Sequence, residues 1–581
     1  MSVGAEELAR PWFERWPELY DWELRRFADL GLEASVDVEA KARGLLVIST
    51  GVEFKGKVEK VDVSYPSEYP ELPPAIFGRP GLLARHQHWF GGNFCLLARP
   101  LDDWPARDWG GADLVAERLT ALLSDSEAGD EQVRAHEAPM PEPVTSYFNY
   151  PLNLAILLPE EALPRSERAG GRMVLRRPAP QLFLLEEGDD GSAASSFMDL
   201  FPPAPTVECF WKRIDEPPRV GSDGASVVKW IRQAHPDLLA SRPPPPPPRK
   251  KRQGRAFPPV ESCALVFPEE GPQPGQVRDA WILVLIESSE GQERATLVHA
   301  EVVSRTERGV RLAELEGLET NRVLVVGLGS IGGPMAVGLA RAGVGELDLV
   351  DCERFEFGNT TRHTLGLDYV GLPKASALAV ATRRANPFVR SRDHHIRLGD
   401  PTLMNGESGL SKIAPLIDAA DLVVDATGSH QIAQLLGRLC NEAEVPMVAA
   451  WMTEGFYGAE VVRVSPGATC CWNCFATDYR EGRLVRAEAG PPSQVVVQGC
   501  SHPTTSGPGF DADEAVAVAT RLAVQTLQPK GGYPESTWDH AALSFRRPPD
   551  DPDYPRFTAE ALGPKKECDQ CRVAAGVMSA S

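Results

Sequence analysis

The 581-residue chain has no run of eighteen apolar residues and no apolar segment near its start. A bilayer-crossing helix needs about twenty apolar residues in a row, and a secretory signal needs an apolar core of roughly 7–15. The expectation is a soluble, unexported, cytoplasmic protein with no membrane partner. Positive charge is also short: 60 Lys and Arg stand against 81 Asp and Glu, a net charge of −21. That argues against a general nucleic-acid surface. There is no internal repeat. The eleven cysteines of an unexported chain read as metal ligands and nucleophiles rather than a disulfide framework. The length suits three or four domains, each able to bury a core.

What is present concentrates in one stretch. Apolar Val323–Val326 precedes Gly327-Leu-Gly329-Ser-Ile-Gly332, and helix-compatible sequence follows from Pro334 to Arg341. Strand, glycine turn and helix N-terminus together present backbone N–H groups to a phosphate. A second strand, Glu346–Val350, delivers Asp351 19 residues after Gly332. At that distance a βαβ unit brings a carboxylate to a ribose hydroxyl. Asn359, Arg362 and Lys374 come next. A hydride-transferring Rossmann domain has no use for that trio, whereas an enzyme that must hold a triphosphate and attack it does.

Asp351-x-Glu353, Asn359-Thr-Thr-Arg362, Gly371-x-Pro373-Lys374 and Asp421-Leu-Val-Val-Asp425 occur in that order. The set resembles the adenylation domain of the ThiF/MoeB/ubiquitin-activating superfamily, over residues 305–581. The resemblance implies a Rossmann-like α/β domain that binds ATP and Mg2+. It assigns Gly327, Gly329 and Gly332 to the nucleotide loop, Asp351 to ribose, Arg362 and Lys374 to the phosphates, and Asp425 to magnesium. Asn359 becomes a further polar group of the nucleotide site. Two positions depart from the family pattern: His363, where Gln is usual, and Glu353, where a second Asp is common. Neither removes a phosphate-neutralising charge. Relatives are homodimers in which an arginine crosses into the partner site, and Arg305, Arg308 and Arg311 are equal candidates for it.

Cys471-Trp-Asn-Cys474 and Cys568-Asp-Gln-Cys571 are two C-x-x-C hooks whose inner cysteines are 94 residues apart. Each hook places two thiolates at adjacent corners of a tetrahedron, so the pair is expected to close a structural zinc site. Cys470 is a possible substitute for Cys471. A redox pair needs one hook and leaves the second unexplained. Cys500 lies in a Gly/Ser/Pro-rich stretch before a helix expected over Asp513–Leu527. In the ThiF branch a cysteine at this place accepts the acyl group, and a helix N-terminus lowers a thiol's pKa. The alternative is a loop cysteine without chemistry. Cys352, Cys440, Cys209 and Cys263 read as core.

The N-terminal third carries a second frame. An amphipathic helix is expected over residues 1–31, strands over 44–50 and 56–65, mostly loop over 68–105, and a helix over 111–124. Tyr69-Pro70…Pro73-Pro74, Gly92-Asn-Phe-Cys95-Leu96 and Trp104 resemble the ubiquitin-conjugating fold, with Cys95 as its catalytic thiol. His86-Gln-His88 departs from that family's His-Pro-Asn box, and the stabilising amide is missing unless Asn93 or His88 supplies a donor. Residues 130–165 read as linker, as does Pro243–Pro248 with its basic tail, an extended rod. Strand-like runs at 281–286 and 296–303 suggest a β-rich middle domain.

The expected architecture is therefore α/β and α+β multidomain: an N-terminal ubiquitin-conjugating-like α+β domain (1–130), a linker and β-containing middle domain (131–304), and the adenylation domain (305–581). An activating–conjugating fusion of this kind resembles the bacterial enzymes of CBASS antiphage operons. It implies adenylation of a protein C-terminus, from a ubiquitin-like protein or a cGAS-like nucleotidyltransferase. Thioester formation on Cys500, transfer to Cys95 and conjugation to a target lysine would follow, in antiviral defence. Rival readings are a sulfur-carrier-activating protein, which has no need of the Cys95 frame, and a non-catalytic adaptor that only binds ubiquitin-like proteins. An NAD-dependent oxidoreductase fits least, because no hydride-side catalytic pair is present.

Overall fold

The computed structural model describes residues 10–97, 104, 108–128, 141–188, 191, 198–240, 260–271, 276–289, 292–399, 407–491, 494–496, 503–505, 507–528, 530–546 and 555–574. Two compact units are present: residues 1–194 with 203–303, and residues 195–202 with 304–581.

The first unit opens on helices Trp12–Arg15 and Pro17–Asp29, where one continuous helix was expected. The break has a local cause. Proline disfavours the helical region for the residue before it, and Trp16 sits at φ −128°, ψ 71°. The two helices bury Trp12, Phe13 and Phe27 in one core with an antiparallel sheet. Its strands are β1 (Ser35–Val36), β2 (Val47–Phe54), β3 (Lys57–Ser64) and β4 (Ala75–Phe77), paired in that order. The β2–β3 turn is Lys55-Gly56, both at positive φ, as a two-residue hairpin demands. β4 falls inside the stretch read as loop, too short for alternation to show. Helical turns from Gly111 to Ala128, with a π segment at Leu114–Leu119, complete this core. Glu23 is buried within it and accepts hydrogen bonds from the Tyr65 and Tyr69 hydroxyls and the Gly111 N–H.

The rest of the unit is a closed barrel. β5 (Ala155–Pro159), β6 (Gly170–Ala179), β7 (Leu182–Glu187), β8 (Thr206–Arg213), β9 (Val260–Glu270), β10 (Val277–Ser289) and β11 (Gln292–Val303) pair in the order β10-β11-β5-β7-β6-β8-β9. Closure removes the open edges that a flat sheet would expose. β5 corrects the linker reading of 130–165: a five-residue apolar run gives no period, yet it pairs in parallel with both β11 and β7. Cys209 and Cys263 are buried, as read.

The second unit holds β12 (Arg322–Val326), β13 (Glu346–Val350), β14 (Arg390–His394), β15 (Leu422–Asp425), β16 (Met447–Met452) and β17 (Gly458–Val464). A two-stranded ribbon, β18 (Gln494–Val496) and β19 (Pro503–Thr505), precedes β20 (His540–Ser544) and β21 (Arg556–Glu560). The eight-stranded sheet runs β14-β13-β12-β15-β16-β17-β20-β21, parallel through β16 and antiparallel beyond. Val323 and Val325 face helices Gly332–Ala342, Lys374–Ala385 and Gly509–Leu527. Leu324 and Val326 face helices Gly409–Asp418, His430–Glu442 and Trp472–Arg480. Strands buried on both faces read as unbroken apolar runs, which these do. Because β12 pairs with β13 on one side and β15 on the other, a crevice opens at their C-terminal ends. Open α/β sheets bind ligands at such a switch point. Among the described residues no helix is long and apolar enough to cross a membrane.

Candidate functional site

Gly327 leaves β12 at φ 84°, and a side chain there would sit 2.7 Å from the Ala426 and Thr427 backbone. A Cβ on Gly332 would lie 1.8 Å from the Gly327 carbonyl oxygen. Both positions are therefore closed to any other residue. Gly329 differs, with nothing within 4 Å of its would-be Cβ. The turn thus keeps open space over the N-terminus of helix Gly332–Ala342, where N–H groups face an anion.

Asp351 ends β13. Its carboxylate accepts from the Leu328 N–H at 2.7 Å and the Glu353 N–H at 2.7 Å, which ties the glycine turn to the neighbouring strand. Burial raises its pKa, against the pull of the Lys374 charge and these two amides. Asp425 ends β15 and is buried. It accepts from the Thr427 N–H at 3.0 Å and the Thr427 hydroxyl at 2.8 Å, and burial pushes its carboxyl up to about 6 despite them. Lys374 opens helix Lys374–Ala385, is buried, and pairs with Glu353 at 2.5 Å. The Arg362 guanidinium lies 5.4 Å from the centre of the Phe456 ring.

Two adjoining cavities occupy the crevice. One of about 560 Å³ is lined by Gly327, Gly329, Asp351, Lys374 and Thr427. The other, about 310 Å³, is lined by Gly329, Asn359, Arg362, Lys374, Thr427 and Phe456. The sequence-derived residues thus converge, with Lys374 shared between the two cavities. Asp425 lines neither; its carboxylate is turned to Thr427, which lines both. The Asn359 side chain accepts from the Glu356 N–H at 3.0 Å and so shapes its own turn. A larger cavity of about 800 Å³, lined by Arg362, His363, Phe510 and Thr520, lies between helices Gly332–Ala342 and Gly509–Leu527. Cys352 corrects the core reading: it is exposed and lines the Asp351 cavity, because the chain has already left β13 at Val350.

Sequence reasoning missed the part played by His363. Its Nδ1 accepts from the Leu365 N–H at 3.1 Å, and its Nε2 lies 2.9 Å from the Leu328 carbonyl. Burial drives the imidazole pKa down to about 4, so the ring is neutral and donates from Nε2. It holds the glycine turn without adding charge, and its ring is why residue 333 has no room for a side chain.

A family model described as ThiF family matches residues 303–536. The molybdopterin-synthase adenylyltransferase of Escherichia coli is 32% identical over 190 residues, which make up 32% of this chain and 72% of that protein. The chain belongs to the ThiF family. The ubiquitin-like modifier-activating enzyme 5 of Drosophila ananassae is 28% identical over 165 residues, 28% of this chain and 41% of that one. The protein y4oA of Sinorhizobium fredii is 26% identical over 597 residues, 96% of this chain and 97% of y4oA. That likeness runs through the sheet and barrel of the first unit as well as the ThiF region.

The four hook cysteines come together. Cys471, Cys474, Cys568 and Cys571 place their sulfurs within 4.8 Å of one another. Cys471 and Cys568 are 3.7 Å apart, and Cys474 and Cys571 are 3.8 Å apart. A tetrahedral zinc about 2.3 Å from each sulfur sets the sulfurs about 3.8 Å apart, so the donor set is compatible with zinc. The Cys471 N–H donates to the Cys571 sulfur at 3.3 Å. Cys470 is buried outside the cluster. Arg305 and Arg308 are engaged within their own chain: Arg305 donates to the Phe388 carbonyl, and Arg308 donates to those of Ala385 and Arg341, at two helix ends.

Cys500 lies outside the described residues. Cys95 is exposed. Tyr69 and Trp104, which framed it in sequence, are core residues, and the Trp104 indole donates to the Pro70 carbonyl at 2.8 Å. Gln87, at the middle of His86-Gln-His88, is buried; it accepts from the Leu83 N–H and donates to the Arg79 and Gly92 carbonyls.

Proposed function

We propose that this ThiF-family chain adenylates the C-terminal carboxylate of a small protein and carries the activated acyl group onward on cysteine. The observation that supports the reading best is the convergence of Arg362, Lys374 and Asn359 on a cavity shared with an unobstructed Gly329, at the switch point of the sheet. The glycine turn and helix N-terminus would hold phosphate oxygens, Asp351 the ribose, and Arg362 and Lys374 the charge that grows as the α-phosphate is attacked. A magnesium ion held by Asp425 would supply further charge neutralisation at the phosphates. The carboxylate oxygen bonds to the α-phosphorus as the bond to the β-phosphate oxygen breaks, which releases pyrophosphate. The four-cysteine cluster is read as a structural zinc site, closed by four thiolates and apart from the chemistry.

In the fuller reading Cys500 takes the acyl group from AMP as a thioester, and Cys95 receives it for delivery to a target lysine. The domain division at 1–130, 131–304 and 305–581, the conjugating role of the first unit, the homodimer and the antiviral setting rest on sequence resemblance. Asp425→Ala should lower ATP–pyrophosphate exchange by about 100-fold or more; undiminished exchange rejects the assignment. On non-reducing gels with the donor protein, Cys500→Ala should leave Cys95 uncharged. Charging of Cys95 in that variant rejects the two-step relay.

A sulfur-carrier adenylyltransferase is the second reading, favoured by the 32% identity to the molybdopterin-synthase enzyme. It makes no demand on Cys95, so Cys95→Ala with full product formation would decide for it.

A further inference from the structure

The segment that carries Cys95 is fastened to His86–His88 by one isolated antiparallel bridge. Gln87 bridges Phe94, the His88 N–H donates to the Asn93 carbonyl, and the Cys95 N–H donates to the His86 carbonyl, both at 2.8 Å. Gln87 and Phe94 are buried on one face. The Cys95 backbone is thus hydrogen-bonded directly to that of His86, and Cys95 bears electrostatically on the Tyr147 hydroxyl, which lies 3.5 Å from Glu142, the carboxylate on the His86 ring. Cys95 therefore borders the cluster that holds the His86 ring.

The His86 ring is held. Its Nδ1 lies 3.1 Å from Glu142 Oε1, and its backbone N–H donates to both Glu142 oxygens at 2.8 and 3.0 Å. A carboxylate on Nδ1 fixes the proton there and leaves the basicity at Nε2. Glu142 is itself fastened: its N–H donates to Glu270 at the end of β9, and Glu270 pairs with Arg85 at 2.7 Å. Next to it the Thr145 N–H and hydroxyl both donate to Glu269. The Tyr147 ring packs against that of His88, 4.7 Å between centres and tilted by 51°, and its hydroxyl lies 3.5 Å from Glu142. The titratable and charged groups around His86 and Cys95 are Glu142 on the imidazole, Tyr147 and Arg85 beside them, His88 against Tyr147 and Glu270 on Arg85. Burial pushes the Glu142 carboxyl up, but the His86 hydrogen bonds and the Arg85 charge outweigh it and leave the pKa below the usual value. Glu142 is thus an anion.

We propose that His86 is the general base for Cys95 and that Glu142, supplied by the segment leading into the barrel, is its positioning residue. This gives the conjugating-enzyme frame a thiol–imidazole–carboxylate array, and it rests on the reading of Cys95 as an acyl carrier. The Cys95 thiol proton passes to His86 Nε2 as the sulfur attacks the carbonyl carbon of an incoming protein C-terminal thioester. The new C–S bond forms, the donor's C–S bond breaks, and the departing thiolate takes the proton back from the imidazolium. When a lysine amine then attacks, the C–N bond forms, the C–S bond to Cys95 breaks, and the amine proton returns through His86 to the sulfur.

The test needs neither nucleotide nor donor. Iodoacetamide alkylation of Cys95 is followed by peptide mass spectrometry in the full-length native chain, from acid to alkaline pH, with the denatured chain as intrinsic reference. His86→Asn removes the base but keeps a residue tolerant of the φ of 59° found at position 86. Glu142→Gln keeps an acceptor for the His86 N–H and removes the charge. Native wild-type Cys95 should alkylate near neutral pH about tenfold or more faster than the His86→Asn variant, with a rate profile displaced to lower pH. Glu142→Gln should fall between the two. Identical profiles in all three proteins overturn the proposal, and slowing by His86→Asn alone overturns the role of Glu142. ATP–pyrophosphate exchange of the wild type decides the adenylation reading separately.

Discussion

Substituting alanine at two glycines of one turn should separate folding from nucleotide chemistry. A Cβ on Gly332 would stand 1.8 Å from the Gly327 carbonyl oxygen and 2.9 Å from the Ala426 side chain, whereas one on Gly329 meets nothing within 4 Å. Relief at Gly332 requires the turn and the helix to part by roughly 1 Å or more, and a displacement of that size costs about 100-fold in rate. The same overpacking costs about 1–3 kcal/mol of stability. For a unit of this size each kcal/mol lowers Tm by about 2–4 °C. Gly332→Ala should therefore lose both Tm and exchange activity. Gly329→Ala should keep Tm within about 1 °C and lose ATP binding, because its methyl group projects into the space kept for phosphate. Calorimetry and ATP–pyrophosphate exchange on both variants check this. A Gly329→Ala protein that binds ATP normally, or a Gly332→Ala protein with wild-type Tm, would refute the reasoning.

Elemental analysis should find about one zinc per chain, and Cys568→Ser with Cys571→Ser should remove it and lower Tm sharply, because metal binding is coupled to folding; a metal-free chain of normal stability contradicts the site. His540 gives a pH dependence. Burial lowers its pKa, but hydrogen bonds and charge from Glu460 and Glu560 raise it overall. A raised folded pKa means stabilisation that is full below the unfolded value of about 6.5 and is lost as pH rises through the folded value. Urea unfolding should thus show stability falling from about pH 6.5 upward, and His540→Gln should flatten that limb.

The glycine turn, the strand before it and the acid after it were legible because each obeys a local rule: an apolar run, a turn that excludes side chains, and a fixed βαβ spacing. The cysteine hooks were legible for the same reason. Cys352 was misread because the residue after a strand inherits its apolar surroundings in sequence but not in space. Trp16-Pro17 broke a helix whose periodicity ran straight through. β5 gave no signal, since its partner β11 lies far away in sequence and its partner β7 lies beyond the whole of β6. The partners of His363 and His86 were out of reach for a further reason. Leu328 and Glu142 are 35 and 56 residues away, and no pattern in the chain announces such a pairing.

One contact bears on how the site receives an anion. Lys374 is buried while its partner Glu353 is nearly half exposed at the side chain. The ammonium was stripped of water when the chain folded, and the carboxylate holds its charge in balance. An arriving polyphosphate need only exchange places with that carboxylate, which can turn outward into solvent. The heaviest electrostatic cost, several kcal/mol for removing an ion from water, thus falls on protein synthesis once rather than on every turnover. Glu353 acts as a stand-in anion, and small anions must displace it before they can occupy the site.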